Sequence, residues 1–266
     1  MSKSSFAEKL LRWVLPLLLT AALLGHATGH RELPGLAAIE RQLFDLRLRL
    51  TAPDERDHRI VIVDIDERSL AALGRWPWKR SQLAELLDAM FVREGALLAG
   101  VDMILAEPDD SSGLASLETL ARGPLSDDAA FATQLERLRP ALDHDGRLAE
   151  VLGRHPVVLG FHGSNAEGTV ASGELPAPLA SVDEFGTAQA AALPHWRGYG
   201  ANLPRLQQAA SGAGFLNVPH DADGIARRAP LLSVIDGQLH ASLPLVLMQT
   251  LAGGNGVQAR TAAGAA

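Results

Sequence analysis

Carboxylates gather in two short stretches of this sequence: Asp64, Asp66 and Glu67 end one apolar run, and Asp102, Glu107, Asp109 and Asp110 lie at or beyond the end of another. If both runs are strands of one parallel sheet, their ends share an edge, which is where open α/β folds place a ligand crevice. Between them stands Gly74-Arg-Trp-Pro-Trp78-Lys-Arg80, where Pro77 biases Trp76 toward an extended backbone and the two indoles could wall a pocket. The expected site is a small-ligand crevice of Asp64, Asp66, Asp102, Glu107, Trp76, Trp78 and Arg80, with no catalytic residue. The same acids could instead only cap helices or pair with Arg68, Arg75 and Arg80. Whether they hold a metal is unknown from sequence.

Other chemistries are easier to set aside. There is no cysteine, so disulfides, thiolate metal sites and thiol nucleophiles are excluded. No GxGxxG, Walker loop, GxSxG elbow or HExxH occurs, and no cofactor is expected. Asp221-Ala-Asp-Gly224 resembles part of a calcium loop but lacks the later oxygen ligands and closing glutamate, so it reads as an Asx-type turn. The main enzyme rival is a haloacid-dehalogenase-like phosphohydrolase, with Asp64 as nucleophile and Asp66 handling protons. Its lysine and acidic pair are in the wrong order here: Lys79 precedes the first crossover helix, and Asp109-Asp110 follows only the second strand.

The elements that must position these residues follow from apolar periodicity. The β-branched run Ile60 to Asp66 reads as a strand buried on both faces. Leu83, Leu86, Leu87, Met90 and Phe91 make a helical stripe after it, and Ala96 to Leu105 reads as a second strand, completing a right-handed βαβ unit. Residues 107 to 128 read as an acidic loop. Helix returns over Asp128 to Leu152 with a break near Pro140, followed by a strand from Pro156 to Phe161. Residues 163 to 211, rich in Ala, Gly and Pro, read as a long surface excursion. Beyond them the pattern gives ordered chain from Gly214 to Val218, a strand over Ala226 to Ile235, a hairpin at Asp236-Gly237 and an apolar helix over Ser242 to Leu251.

At the N-terminus, Trp13 to His30 are uncharged and follow Lys3, Lys9 and Arg12. Such a run is just long enough to span a bilayer, and its basic flank would keep the first 12 residues cytoplasmic. Gly25-His26-Ala27 offers signal-peptidase residues, so a cleaved leader is the alternative, and both readings export the remainder of the chain. Residues 31–59 read as a juxtamembrane helix and charged linker, 60–252 as the sensor domain outside the cytoplasmic membrane, on the periplasmic or extracellular side, and 253–266 as a disordered tail. The fold class is α/β: an N-terminal transmembrane helix, then a single domain with a largely parallel or mixed central sheet. Ile39, Leu43, Leu46 and Leu50 repeat at a/d spacing, which suits either a homodimer seam or packing on the chain's own domain.

Charge narrows the partners. Without its first 30 residues the chain has 21 basic and 30 acidic residues, a formal charge of -9, and no nucleic acid is expected, because phosphate binding needs a basic patch. The expected partners are a membrane, an unidentified small ligand and a second copy of the chain.

Several separated motifs together resemble the type-two CHASE domain. They are Asp45-Leu-Arg47, IVIVDIDERSLAALGRWPWKR at 60–80, GALLAGVDMILAEPD at 95–109, and GFLNVPHDADGIARRAPL with the later HASLPLVLM. The resemblance spans about residues 36–252. It implies an extracytoplasmic α/β sensor behind an N-terminal membrane helix, in receptors whose output is a nucleotide cyclase or a kinase. It supplies no ligand. Nothing after Leu251 reads as a further membrane span or output, so a fragment or an output-less relative is expected, with a structural interaction module as a further alternative.

Overall fold

The structure, a computed structural model, describes residues 3–28, 33–53, 57–168 and 171–253. It divides into two compact units, residues 1–65 and 66–266. The proposed tail beyond residue 253 lies outside the described residues, as do residues 29 and 30 of the uncharged N-terminal run.

The first unit holds α1 (Lys3–Ala27) and α2 (Pro34–Thr51). Pro34 starts α2 where a missing N–H costs nothing. The two helices are tied by His26, which is buried: its Nδ1 accepts the Leu33 N–H at 3.1 Å and its Nε2 lies 3.2 Å from Glu40 Oε2. Acceptance at Nδ1 fixes the proton on Nε2, which donates to the carboxylate. Among the described residues no helix is long and apolar enough to cross a membrane. Trp13, Leu17 and Leu18 of α1 are nonetheless exposed, and α2 buries none of its residues.

The expected strand over Ile60 to Asp66 does not form. This stretch has no strand pairing, and Ile60, Val61 and Ile62 are 73%, 76% and 89% exposed. Its β-branched composition gives it the propensity for a strand, but propensity acts only where a neighbouring edge supplies hydrogen bonds. Asp66 instead caps the next helix.

The second unit contains β1 (Ala99–Val101), β2 (Val157–Ser164), β3 (Ala180–Ser181), β4 (His195–Trp196), β5 (Gly198–Gly200), β6 (Gly212–Phe215), β7 (Leu232–Ile235) and β8 (Gln238–Ala241). Its helices are α3 (Glu67–Leu73), α4 (Arg80–Val92), α5 (Leu114–Arg122), α6 (Ala129–Leu142), α7 (His144–Arg154), α8 (Val182–Phe185), α9 (Thr187–Ala190), α10 (Pro204–Ala209) and α11 (Leu243–Leu251), with a 3-10 turn at Asp110–Ser112. The expected second strand shrinks to three residues, and helices fill much of the expected acidic loop.

Two sheets result, so the α/β class holds with a mixed sheet. In the first, β2 is the hub: β1 runs parallel to its start, β6 parallel to Val158–Phe161, and β5 antiparallel to its last three residues. The second has the order β3-β8-β7-β4, with the β7–β8 hairpin turning at Asp236-Gly237 as the sequence indicates. β2 is buried at every residue from Val157 to Phe161, as a central strand must be. α11 packs on β6 and β2, and α4 packs on α7, which also packs on α10. Gly214 makes the first of these contacts possible, since a Cβ there would overlap the Leu243 backbone nitrogen.

Residues 163 to 211 are not a surface excursion. They carry β3, β4, β5 and three short helices, and Asn202 within them is fully buried. Its Oδ1 accepts the Leu105 N–H at 3.0 Å and its Nδ2 donates to the Gly160 carbonyl at 3.0 Å. One side chain thus satisfies two buried backbone groups that the short strands leave over.

Candidate functional site

The expected crevice fails at its premise, because the first of its two strands is absent. Asp64 lies on the exposed run of the first unit. Asp66 is the N-cap of α3: its Oδ1 accepts the Ser69 N–H at 2.9 Å and the Ser69 hydroxyl at 2.8 Å, which holds its carboxyl below the ordinary range. Asp102 is exposed just after β1, where no parallel neighbour strand brings Asp66 beside it. Trp76 and Trp78 do meet, edge to face at 6.0 Å across the cis Trp76–Pro77 bond. Trp78 is buried and donates its Nε1–H to the Gly74 carbonyl at 2.9 Å, so it packs, while Trp76 stays 42% exposed.

Arg80 is the residue of that set that enters a built cluster. It opens α4, and its backbone N–H donates to Asp109 Oδ2 at 2.7 Å. Its guanidinium reaches the Glu107 carbonyl oxygen at 3.3 Å, so Glu107 contributes backbone and not its carboxylate. Asp109 also accepts from the Ser111 N–H at 2.9 Å, and its own N–H donates to Asp145 Oδ2 at 2.9 Å. His144, the first residue of α7, places Nδ1 3.1 Å from Asp109 Oδ2 and 3.3 Å from Ser111 Oγ. The side chains of Arg80, Asp109, His144 and Asp145 are 13%, 8%, 11% and 18% exposed, so the cluster is largely dry. Burial raises the Asp109 carboxyl, but hydrogen bonds from Ser111, Arg80 and His144 outweigh it and hold the group down to about 2. Burial wins at Asp145, which is raised.

Ser111, His144 and Asp109 are the residue types of a hydrolytic triad, yet their geometry is not one. A triad needs the carboxylate on one ring nitrogen and the hydroxyl on the other, so that a proton can cross the ring. Here both converge on Nδ1, which must carry its proton to serve Asp109. The cluster joins the N-termini of α4 and α7 to the loop after β1, a structural junction. Among the described residues no group of three His, Asp or Glu side chains is arranged to hold a metal ion. Arg227 bridges Asp221 and Asp223 around the Asp221–Gly224 turn, and Asp223 Oδ1 accepts the Ile225 N–H at 3.2 Å, an Asx-type bond.

A cleft elsewhere went unseen in the sequence. It encloses about 770 Å³ and is lined by Asn165, His195, Trp196, Arg197, Asp236 and Val234. Its walls follow from strand register: β4 runs parallel to β7 with His195 opposite Val234 and Trp196 opposite Ile235. Both strands end there, and Asp236 opens the β7–β8 turn with φ 50°. Asn165 brackets the wall, donating Nδ2–H to the His195 carbonyl at 2.7 Å and accepting the Arg197 N–H at 2.9 Å. Gly163 makes room for the indole, since a Cβ there would overlap Trp196 Cγ.

A family model described as CHASE2 domain matches residues 17–262 of the chain. No curated protein and no solved structure matches it.

Proposed function

Because the chain belongs to the CHASE2 family, an extracytoplasmic sensory domain family of signalling receptors, we propose that it is the ligand-sensing part of a receptor held at the cytoplasmic membrane by α1. The family match carries this reading. In a full-length relative the sensor would control a cyclase or kinase output. The triad types without triad geometry favour binding over turnover, and the capped Asp66 is already committed to α3, which disfavours the phosphohydrolase alternative.

The anchor is proposed from the uncharged run that begins at Trp13, from the basic residues Lys3, Lys9 and Arg12 earlier in α1 and from the exposed Trp13, Leu17 and Leu18, although no described helix reaches the length and apolarity of a membrane span. A reporter enzyme active only after export, fused after Ala252, is expected to be active in cells. Activity confined to a cytoplasm-specific reporter at the same position would reverse the topology.

The second part of the reading is a homodimer through α2. Ile39, Leu43, Leu46 and Leu50 are 53%, 59%, 51% and 76% exposed, and the last three line an apolar groove with Phe44. A seam with a/d spacing and no cover in its own unit fits a second copy of itself. Replacing Leu43 and Leu46 with glutamate should shift the full chain in detergent from dimer to monomer by sedimentation, with unchanged circular dichroism. A monomeric parent would refute the seam.

A further inference from the structure

His240 occupies the joint between the two sheets. It lies on β8, 4% exposed, with its ring 5.9 Å from the Phe161 ring of β2. Two residues later Ser242 forms a β-bridge with Phe215 of β6 and opens α11. Register sets Ser233 of β7 directly opposite His240, which places their Cβ atoms about 5 Å apart. His240 Nδ1, Ser233 Oγ and Ser242 Oγ are all buried and have no hydrogen-bond partner among the described residues. A neutral imidazole in such a place costs an unmade hydrogen bond. An imidazolium costs far more, because a buried charge needs a counter-charge and a hydroxyl carries none.

The elements packed around the ring do not bring that counter-charge. β2 and β6 contribute Phe161 and Phe215, β7 contributes Ser233, β3 contributes Ala180 and Ser181, and α11 begins behind Ser242. Asp183 and Glu184 of α8, which follow β3, are exposed. Asp236 at the hairpin turn is the carboxylate whose field reaches the ring, and burial outweighs it, holding His240 below the ordinary histidine value of 6.5.

We propose that His240 is a proton-operated latch in the sensing domain: neutral, it lets the two sheets close on each other, and its protonation loosens the seam from which α11 starts. α11 packs on β6 and β2, so the start of this helix is what the latch releases. The fold favours the neutral ring, and the unfolded chain takes up a proton below 6.5. The contribution of His240 is therefore present above 6.5 and is lost as pH falls from there toward the lower folded value. The inference rests on the sensor reading and adds acidity as the stimulus.

The test uses the full chain in detergent, with an NMR titration of the His240 ring and amide hydrogen exchange over the same range of pH. The Ser242 and Val246 amides report the seam, donating to the Leu231 and Ser242 carbonyls at 2.9 and 3.0 Å. The Leu203 amide, on the Leu105 carbonyl at 2.8 Å, lies outside the seam and is the control. The ring should titrate below 6.5. With it, and at the same midpoint, protection at Ser242 and Val246 should fall at least about fivefold after correction for the intrinsic pH dependence of exchange, while Leu203 changes less than about twofold. His240→Gln, uncharged at every pH, should abolish the fall. Where that variant does not fold, the parent alone decides: a ring midpoint at or above 6.5, seam amides that do not follow the ring, or a Leu203 amide that loosens equally overturns the proposal. A folded variant whose seam still loosens with acid overturns it too. Such a failure with an active export reporter leaves the sensor reading standing; an inactive reporter removes that reading whatever the titration gives.

Discussion

Replacing Asp109 with alanine is expected to lower the unfolding free energy of the domain by about 3 kcal/mol, the scale of a buried, charge-assisted network losing its acceptor. Three donors lose their partner at once: the Arg80 N–H, the Ser111 N–H and His144 Nδ1. The Arg80 guanidinium keeps only the Glu107 carbonyl and Asp145, and at 3.6 Å the latter contact is an ion pair without a hydrogen bond. Ser111→Ala, which removes the hydroxyl from Asp109 and His144 but leaves the Ser111 N–H on the carboxylate, should cost less.

The pH dependence separates this account from generic destabilisation. The Asp109 carboxyl is held down to about 2 from an ordinary 3.8, so its contribution is fully present above the ordinary value and disappears as pH falls toward the folded one. The gap between parent and Asp109→Ala should therefore narrow by about 2 kcal/mol between pH 4 and pH 2. Asp145 works in the opposite sense. Its raised pKa stabilises the fold at low pH, and that contribution is lost as pH rises through the folded value. Denaturant midpoints measured across this interval decide the matter: a constant gap would mean that Asp109 does not act through its charge.

What could be read from the sequence divides along a physical line. β2, the Asp236-Gly237 turn and α11 were legible because each is specified locally, by a continuous apolar run or a turn dipeptide. The run from Ile60 carries the same local signal as β2 and has no strand neighbour, so composition could not tell the two apart. β3, β4 and β5 have two or three residues each, too few to show alternation, and their segment is rich in glycine for reasons of contact. Gly163 under the Trp196 ring is one such case. Of the expected site, Arg80 entered a cluster, but its partners His144 and Asp145 lie in a stretch that the sequence marks only as helix beyond a break near Pro140. The cleft was invisible because its walls, among them His195 and Val234, come together through the β4–β7 register, a long-range fact.

Phe161 should be the most sensitive position in the core, because it is where the two sheets meet. It lies on β2, fully buried, with its ring edge-on to Phe215 of β6 at 6.5 Å and to His240 of β8 at 5.9 Å. Phe161→Ala should cost about 4 kcal/mol through lost transfer energy and a cavity that the flanking strands cannot close. For a domain of this size that is a fall of roughly 10 °C in melting temperature, and Phe161→Leu should fall much less. His240 supplies a second, independent readout. Burial holds its pKa below the ordinary value, and its Nδ1 has no hydrogen-bond partner among the described residues. A cavity beside it admits water, which stabilises the imidazolium and should bring the pKa back toward 6.5. An NMR titration of His240 at a temperature where the variant is still folded reads this directly. A titration identical to the parent's would mean that the ring contact does not seal His240, and that the sheets are joined by something other than Phe161.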